Sequence, residues 1–250
     1  MKKATVVKVF LRSFLIHSAL NFRRMQNLGF AMSLIPLIRE WRDQQKDIEE
    51  ILLRHLQMFN THPYFSSPVI GSIVRLEEDS AQRGVLTDTT AVKQSLMGPY
   101  AAIGDTFFWG ALRPFAAIIA VVLAYKGLII APLVFLLIFT PAHIWIRFNG
   151  FIQGLKHGKQ GIEFIRIMDL PRVAAKIRWL LLLVLACSVL WLSVTGILPI
   201  INAAGLLVKL MILNTILICF WLIIKGVSQV YIIYGACVIF LFIAWKDILN

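Results

Sequence analysis

Charge is what this chain has least of. Only 15% of its 250 residues are charged while 59% are hydrophobic, where a soluble domain carries about a quarter charged. Acid is scarcer still, with 13 Asp and Glu against 25 Lys and Arg and a formal net charge of +12. Mean hydropathy is +0.78. These figures exclude an ordinary soluble domain and predict an all-α integral membrane protein. Cysteine is also sparse: Cys187, Cys219 and Cys237 lie inside apolar runs without CxxC spacing, so a disulfide scaffold or zinc site is excluded and small buried hydrophobes are expected. The five histidines form no HExxH pattern, and there is no Walker loop, GxGxxG or GxSxG. No cofactor is therefore expected. No cleavable signal is evident, because Lys8, Arg12 and His17 interrupt its would-be apolar core, and insertion is expected to rest on internal spans. The basic residues flank apolar runs, which fits anionic headgroups and topology and argues against nucleic acid.

Two regions are expected. Residues 1–100 read as amphipathic and re-entrant helical elements with a cytoplasmic-side helix, and 101–250 as a transmembrane region of about five spanning helices. Residues 4–24 have the pattern of an interfacial helix. Met25–Ile38, broken by Gly29 and Pro36, is too short to cross a bilayer that needs about 20 residues, and predicts a re-entrant or interfacial hairpin. Arg39–Phe59 predicts a helix with a Glu50–Arg54 pair, ending at Asn60-Thr61-His62-Pro63. Within it, His55 reads as a surface or packing residue rather than a ligand. Tyr64–Val74, interrupted by Pro68 and Gly71, predicts a second re-entrant element that stops at Glu77-Glu78-Asp79.

The expected spans are 107–125, 128–146, 179–201, 203–224 and 227–245, with Lys126-Gly127 as a tight link. Seven basic residues against Glu163 and Asp169 mark 147–178 as a cytoplasmic loop. Lys209 inside the fourth span is expected to snorkel, to pair with a partner, or to mark a span buried in an assembly.

Leu96–Pro114 (LMGPYAAIGDTFFWGALRP) joins these regions. Asp105, Trp109 and Arg113 are four apart and share one helix side. An acid and a guanidinium at a membrane mouth are costly unless they pair or meet a polar ligand.

Four blocks in order resemble the IID membrane component of the mannose/fructose/sorbose-type bacterial phosphotransferase sugar system: NFRRMQNLGF at 21–30, RHLQMFNTHP at 54–63, PVIGSIVRLEE at 68–78 and the 96–114 block. RFNGFIQGLKHGKQGIEF at 147–164 looks like the basic stretch that follows the family's central hairpin. Thr106 stands where the family usually has proline, His62 where it often has glutamine, and the region after 178 is shorter and plainer than the pattern.

The resemblance implies a multi-pass subunit of the bacterial inner membrane. It would work with a IIC subunit in a higher oligomer of IIC–IID units, among membrane lipids, and carry a hexose or related sugar inward. Cytoplasmic IIA and IIB, or a fused IIAB, would supply phosphate, leaving this chain non-catalytic. Sugar recognition wants hydroxyl partners and an aromatic plate. On that basis Asn60, Thr61, His62, Asp105, Trp109, Asn21, Gln26 and Arg113 are candidates for sugar contact or gating, and Glu77 and Glu78 for partner contact.

Four of these have a plainer alternative. Asn60 would cap a helix C-terminus, and Asp105 would cap the N-terminus of the following span. Trp109 would be an interfacial belt residue, and Arg113 would pair with Asp105 or sit at a kink before Pro114. Two other functions stay open: an assembly subunit without sugar contact, and a membrane enzyme acting on a lipid-linked substrate.

Overall fold

The computed structural model describes residues 1–42, 48–83 and 88–194, with scattered positions between 210 and 238. Among these residues the chain is helical, with no strand beyond two isolated backbone bridges. It divides into two compact units, 1–186 and 187–250. In the second, helical positions and a Lys225–Trp221 contact of 5.8 Å are described, while Lys209 and most of the three expected C-terminal spans lie outside the described residues. Cys187 and Cys237 are free and exposed, not buried as expected.

Helix α1 (Lys3–Ser13) turns Thr5, Val9 and Ser13 inward and packs on α2 (Asn27–Arg42). The run expected to fold back as a hairpin is thus one helix, with Pro36 inside it. Helix α3 (Ile48–His55) begins with Glu49 and Glu50 and has Arg54 in its last turn, charges that suit its dipole. The Glu50–Arg54 pair forms at 3.7 Å.

Helix α4 (Ser66–Arg83) is continuous through the expected breaks. Pro68 lies in its first turn, where the missing N–H has no helical acceptor to lose. Gly71 serves contact rather than bending: a Cβ there would strike the Phe151 backbone of α7 (Ala131–His157). Gly150 and Gly154 of α7 press in turn on Pro68 and Ser72. Small residues on both sides bring the α4 and α7 backbones together, as in close-packed membrane helices.

Helix α5 (Thr89–Gly104), a π-helical turn (Asp105–Leu112) and α6 (Arg113–Tyr125) form one rod. Pro114 accounts for the widened turn. In an α-helix its ring would collide with the carbonyl four residues back, that of Gly110, and π-winding moves that carbonyl aside. The rod, 37 residues, and Ala131–Gly161, 31 residues, are the two described helices long and apolar enough to cross a bilayer. Gly127 at φ +74° makes the tight link between them.

The helix that holds the first expected span starts earlier than that span, and α7 carries on through residues assigned to a cytoplasmic loop. Arg147 is a buried helical residue, 5% exposed. A short 3-10 turn, α8 (Glu163–Ile167) and α9 (Leu170–Val194) follow.

Candidate functional site

The π-turn faces a loop that the sequence makes rigid. Residues 21–26 close on themselves through paired Asn21–Met25 backbone bonds of 3.0 and 2.9 Å. They close on residues 56–61 through the Gln26 amide to the Phe59 carbonyl, 2.8 Å. The Gln26 side chain adds a two-point clasp. Its Nε2 donates to the Thr61 carbonyl at 2.7 Å, and its Oε1 accepts the Thr61 N–H at 3.2 Å. The same Nε2 lies 2.8 Å from His17 Nε2. Asn21 accepts the Arg24 N–H and donates to Asn27 Oδ1, both at 2.8 Å. Thr61 Oγ1 donates to the Met97 carbonyl at 3.3 Å. Asn21, Gln26 and Thr61 are thus already engaged inside the protein, and their first task is to position the loop.

His62 is the side chain this loop presents. Its ring stacks on Phe108 of the π-turn, 5.2 Å between centroids and 14° between planes, and reaches Trp109 at 5.0 Å and Tyr64 at 4.9 Å. Gly104 makes the approach possible, since a Cβ there would overlap the imidazole. Nδ1 accepts the Tyr64 N–H at 3.3 Å, and Nε2 is buried without a partner among the described residues. Burial, aided by Arg147 and His17, pushes its pKa down to about 3, so the ring is neutral.

Asp105, Trp109 and Arg113 keep one side of the rod, and all three are exposed. Arg113 lies over the Trp109 ring at 5.1 Å. Among the described residues it makes no pair with Asp105, whose carboxylate is unpartnered. The capping alternative for Asp105 fails because the helix is unbroken there and no free amide awaits a cap. Asn60 is not a C-cap either: α3 ends at His55, and Asn60 sits exposed with its N–H on Met97 Sδ at 3.2 Å.

Two contributors come from α7 and escaped the sequence reading. His143 stacks on Tyr64 at 4.5 Å and 19°. The Arg147 guanidinium lies over Tyr64 at 5.1 Å and Phe14 at 4.6 Å, and Nη1 donates to the Ser13 carbonyl at 3.3 Å. Among the described residues His143 Nδ1 and Arg147 Nε join His62 Nε2 as buried polar atoms without a hydrogen-bond partner. The available signal was the four-residue His143–Arg147 spacing at the end of an apolar run, which puts both on one helix face.

The acidic pair expected to meet a partner is turned inward. Glu77 is 3% exposed, and its Oε1 takes His55 Nε2 at 2.9 Å and Thr89 Oγ1 at 2.6 Å, with Arg54 at 3.7 Å. Burial works to raise its pKa, but the hydrogen bonds and Arg54 prevail and hold it below the usual carboxylate range. Burial lowers His55 despite Glu77, so a neutral imidazole donates to an ionised carboxylate. Glu78 is engaged by the Met1 ammonium at 2.9 Å.

The site as a whole offers an exposed acid and an aromatic plate with a guanidinium on it, backed by the buried, neutral His62 imidazole. It has the parts to hold a polyhydroxylated ring.

Residues 1–249 match the family model described as the PTS system mannose/fructose/sorbose family IID component. The mannose-specific EIID component of Escherichia coli K12 is 36% identical over 163 residues, 64% of this chain and 56% of the relative. The sorbose-specific EIID component of Klebsiella pneumoniae is 37% identical over 155 residues, 61% and 57% of the two chains. The fructose permease IID component of Bacillus subtilis is 33% identical over 169 residues, 66% and 60%. The matches thus span 56% to 60% of these relatives' length.

Among solved structures, one titled as a membrane protein matches with TM-score 0.71 at 28% identity, covering 96% of this chain and 95% of the other. A chain in the cryo-EM complex of the mannose transporter ManYZ with microcin E492 matches with TM-score 0.59 at 29% identity and the same coverage. The chain belongs to the mannose/fructose/sorbose family of phosphotransferase-system IID components.

Proposed function

We propose that the chain is the IID subunit of a sugar permease. It acts beside a IIC subunit to pass a hexose or related sugar inward, where IIB phosphorylates it with phosphate received from IIA. The observation that carries this reading is the side shared by Asp105, Trp109 and Arg113. A carboxylate with no partner among the described residues, beside a Trp plate, is costly at a membrane mouth unless a polar ligand visits it. A sugar satisfies both parts, its hydroxyls donating to the carboxylate and its C–H face lying on the indole.

Asn60 and His62 border this surface from the loop, while Asn21, Gln26 and Thr61 hold the loop in place. Phosphoryl transfer stays on the cytoplasmic partners, and this chain carries no phosphorylated intermediate. A multi-pass arrangement in the inner membrane and a higher oligomer with IIC complete the reading.

Vesicles reconstituted with this chain, a IIC partner and the soluble phosphotransferase components should accumulate phosphorylated mannose, fructose or sorbose. Vesicles lacking either membrane subunit should not. Full uptake by this chain alone, or stable labelling of it by radioactive phosphate, would refute the reading.

A further inference from the structure

Three cations meet in one groove away from the π-turn. Lys8 and Arg12, one turn apart on α1, and Arg39 on α2 line a hollow of about 450 Å3 with Thr5, Leu11 and Pro36. Among the described residues no carboxylate pairs with any of the three. Arg12 Nη1 donates to the Met32 carbonyl at 3.1 Å. The acid nearest in sequence, Glu40, sits at the Thr5 edge of the groove, where the Thr5 hydroxyl and the Lys2 backbone amide engage its carboxylate.

Helix α1 explains why the groove sits where it does. Its inner stripe is Thr5, Val9 and Ser13. On the opposite side Val7 and Leu11 are exposed, and exposed Leu15 follows just past the helix end. At 100° per residue, Lys8 and Arg12 fall between the two stripes. An uncovered apolar stripe bordered by cations is the pattern of a helix lying in the membrane interface, with its charges at headgroup depth. Guanidinium groups match phosphate oxygens in pairs. The groove wall is also apolar at Leu11 and Pro36, with exposed Met32 beside it.

We propose that this groove binds the phosphate of an anionic phospholipid, with the start of an acyl chain along Leu11, Pro36 and Met32. A free phosphate ion would satisfy the cations but leave the apolar wall wet. This binding is independent of sugar transport, and its test involves no sugar.

The full-length chain, purified in detergent, is titrated with phosphatidylglycerol, phosphatidylcholine or inorganic phosphate, and bound molecules are counted by native mass spectrometry. Phosphatidylglycerol should be retained in preference to phosphatidylcholine, and millimolar phosphate should not displace it. The triple variant Lys8→Gln, Arg12→Gln, Arg39→Gln should weaken retention by about 100-fold, each basic residue near an anionic surface contributing roughly five-fold. Lys3→Gln, Arg23→Gln, Lys159→Gln removes equal charge elsewhere and should leave retention unchanged.

Equal retention of both lipids, an equal loss in the control triple, or displacement by phosphate would each overturn the proposal. If the groove triple does not fold, Lys8→Gln and Arg39→Gln, both at exposed positions, decide the matter singly: about five-fold losses support it, and unchanged retention overturns it.

Discussion

Gln26 holds Thr61 at both backbone atoms, donating to its carbonyl at 2.7 Å and accepting its N–H at 3.2 Å. One side chain thereby does for the loop what a strand neighbour does in a sheet. Gln26→Ala leaves a buried donor and acceptor open, at a cost of about 1–3 kcal/mol for each unsatisfied group. Thermal unfolding should show a clear loss of stability, and His62, the next residue, should lose its fixed position. Gln26→Glu keeps the acceptor and loses the donor, so its defect should be of similar size. A Gln26→Ala chain as stable as the wild type would show that the clasp is not what orders the loop.

The contact of His62 with Gly104 is tight enough to be read by one methyl group. Gly104→Ala pushes the imidazole off Phe108. Overpacking of this kind costs about 1–3 kcal/mol. His62→Gln removes the stack, about 0.5–1.5 kcal/mol for an aromatic pair, but introduces a residue that the resemblance makes familiar at this position. In the Gly104→Ala background the smaller amide should relieve the collision. The unfolding temperature of the double variant should therefore exceed that of Gly104→Ala alone; additivity would show that the two sites do not touch.

Much of this architecture is legible in the residues, and what is missed has physical causes. The 96–114 block is visible as a junction because its polar side chains recur every four residues inside an apolar run. Its π-winding is not visible, because residues four apart share a side in α- and π-helices alike. Pro36, Pro68 and Gly71 look like breaks in the linear sequence. Yet Pro68 is harmless in a first turn, and Gly71 faces a neighbouring helix 80 residues away. Glu77 reads as a candidate partner contact because it opens an acidic triplet with Glu78 and Asp79. Only the fold brings His55 and Thr89 to it. Arg147 resembles the first residue of a basic loop, and its aromatic partners Phe14 and Tyr64 come from distant parts of the chain.

The His55–Glu77 pair sets a pH dependence. His55 is held below its ordinary value of 6.5, so as pH falls through 6.5 the unfolded chain takes up a proton that the folded chain refuses, and stability drops. Glu77 is held below its ordinary value of 4.5, so its contribution is full above 4.5 and is lost as pH falls through the lower folded value. Both effects act in the same direction. As pH falls, unfolding temperature should decline from about pH 6.5 and decline again below about pH 4.5. His55→Gln should shrink the upper decline without abolishing it, because His62, held at about 3, adds to the same decline, and should keep the lower one. A rise in stability between pH 7 and 5.5 would mean that the pair is a charged one.

Asp105 separates a structural role from a transport role more cleanly than any other candidate. It caps no helix end and pairs with no described residue, so Asp105→Asn should leave the unfolding temperature where it was. A charged acceptor removed from a bound hydroxyl costs about 1.5–3 kcal/mol, which is about ten- to hundred-fold in affinity. In vesicles with the partner subunits, KM for the transported sugar should rise by that factor with stability unchanged. Trp109→Ala should raise KM as well, and Trp109→Phe should recover part of it because a smaller plate remains. If both substitutions leave KM unaltered while the complex still assembles, the exposed side of the π-turn does not meet sugar, and the chain acts as a scaffold for its partner.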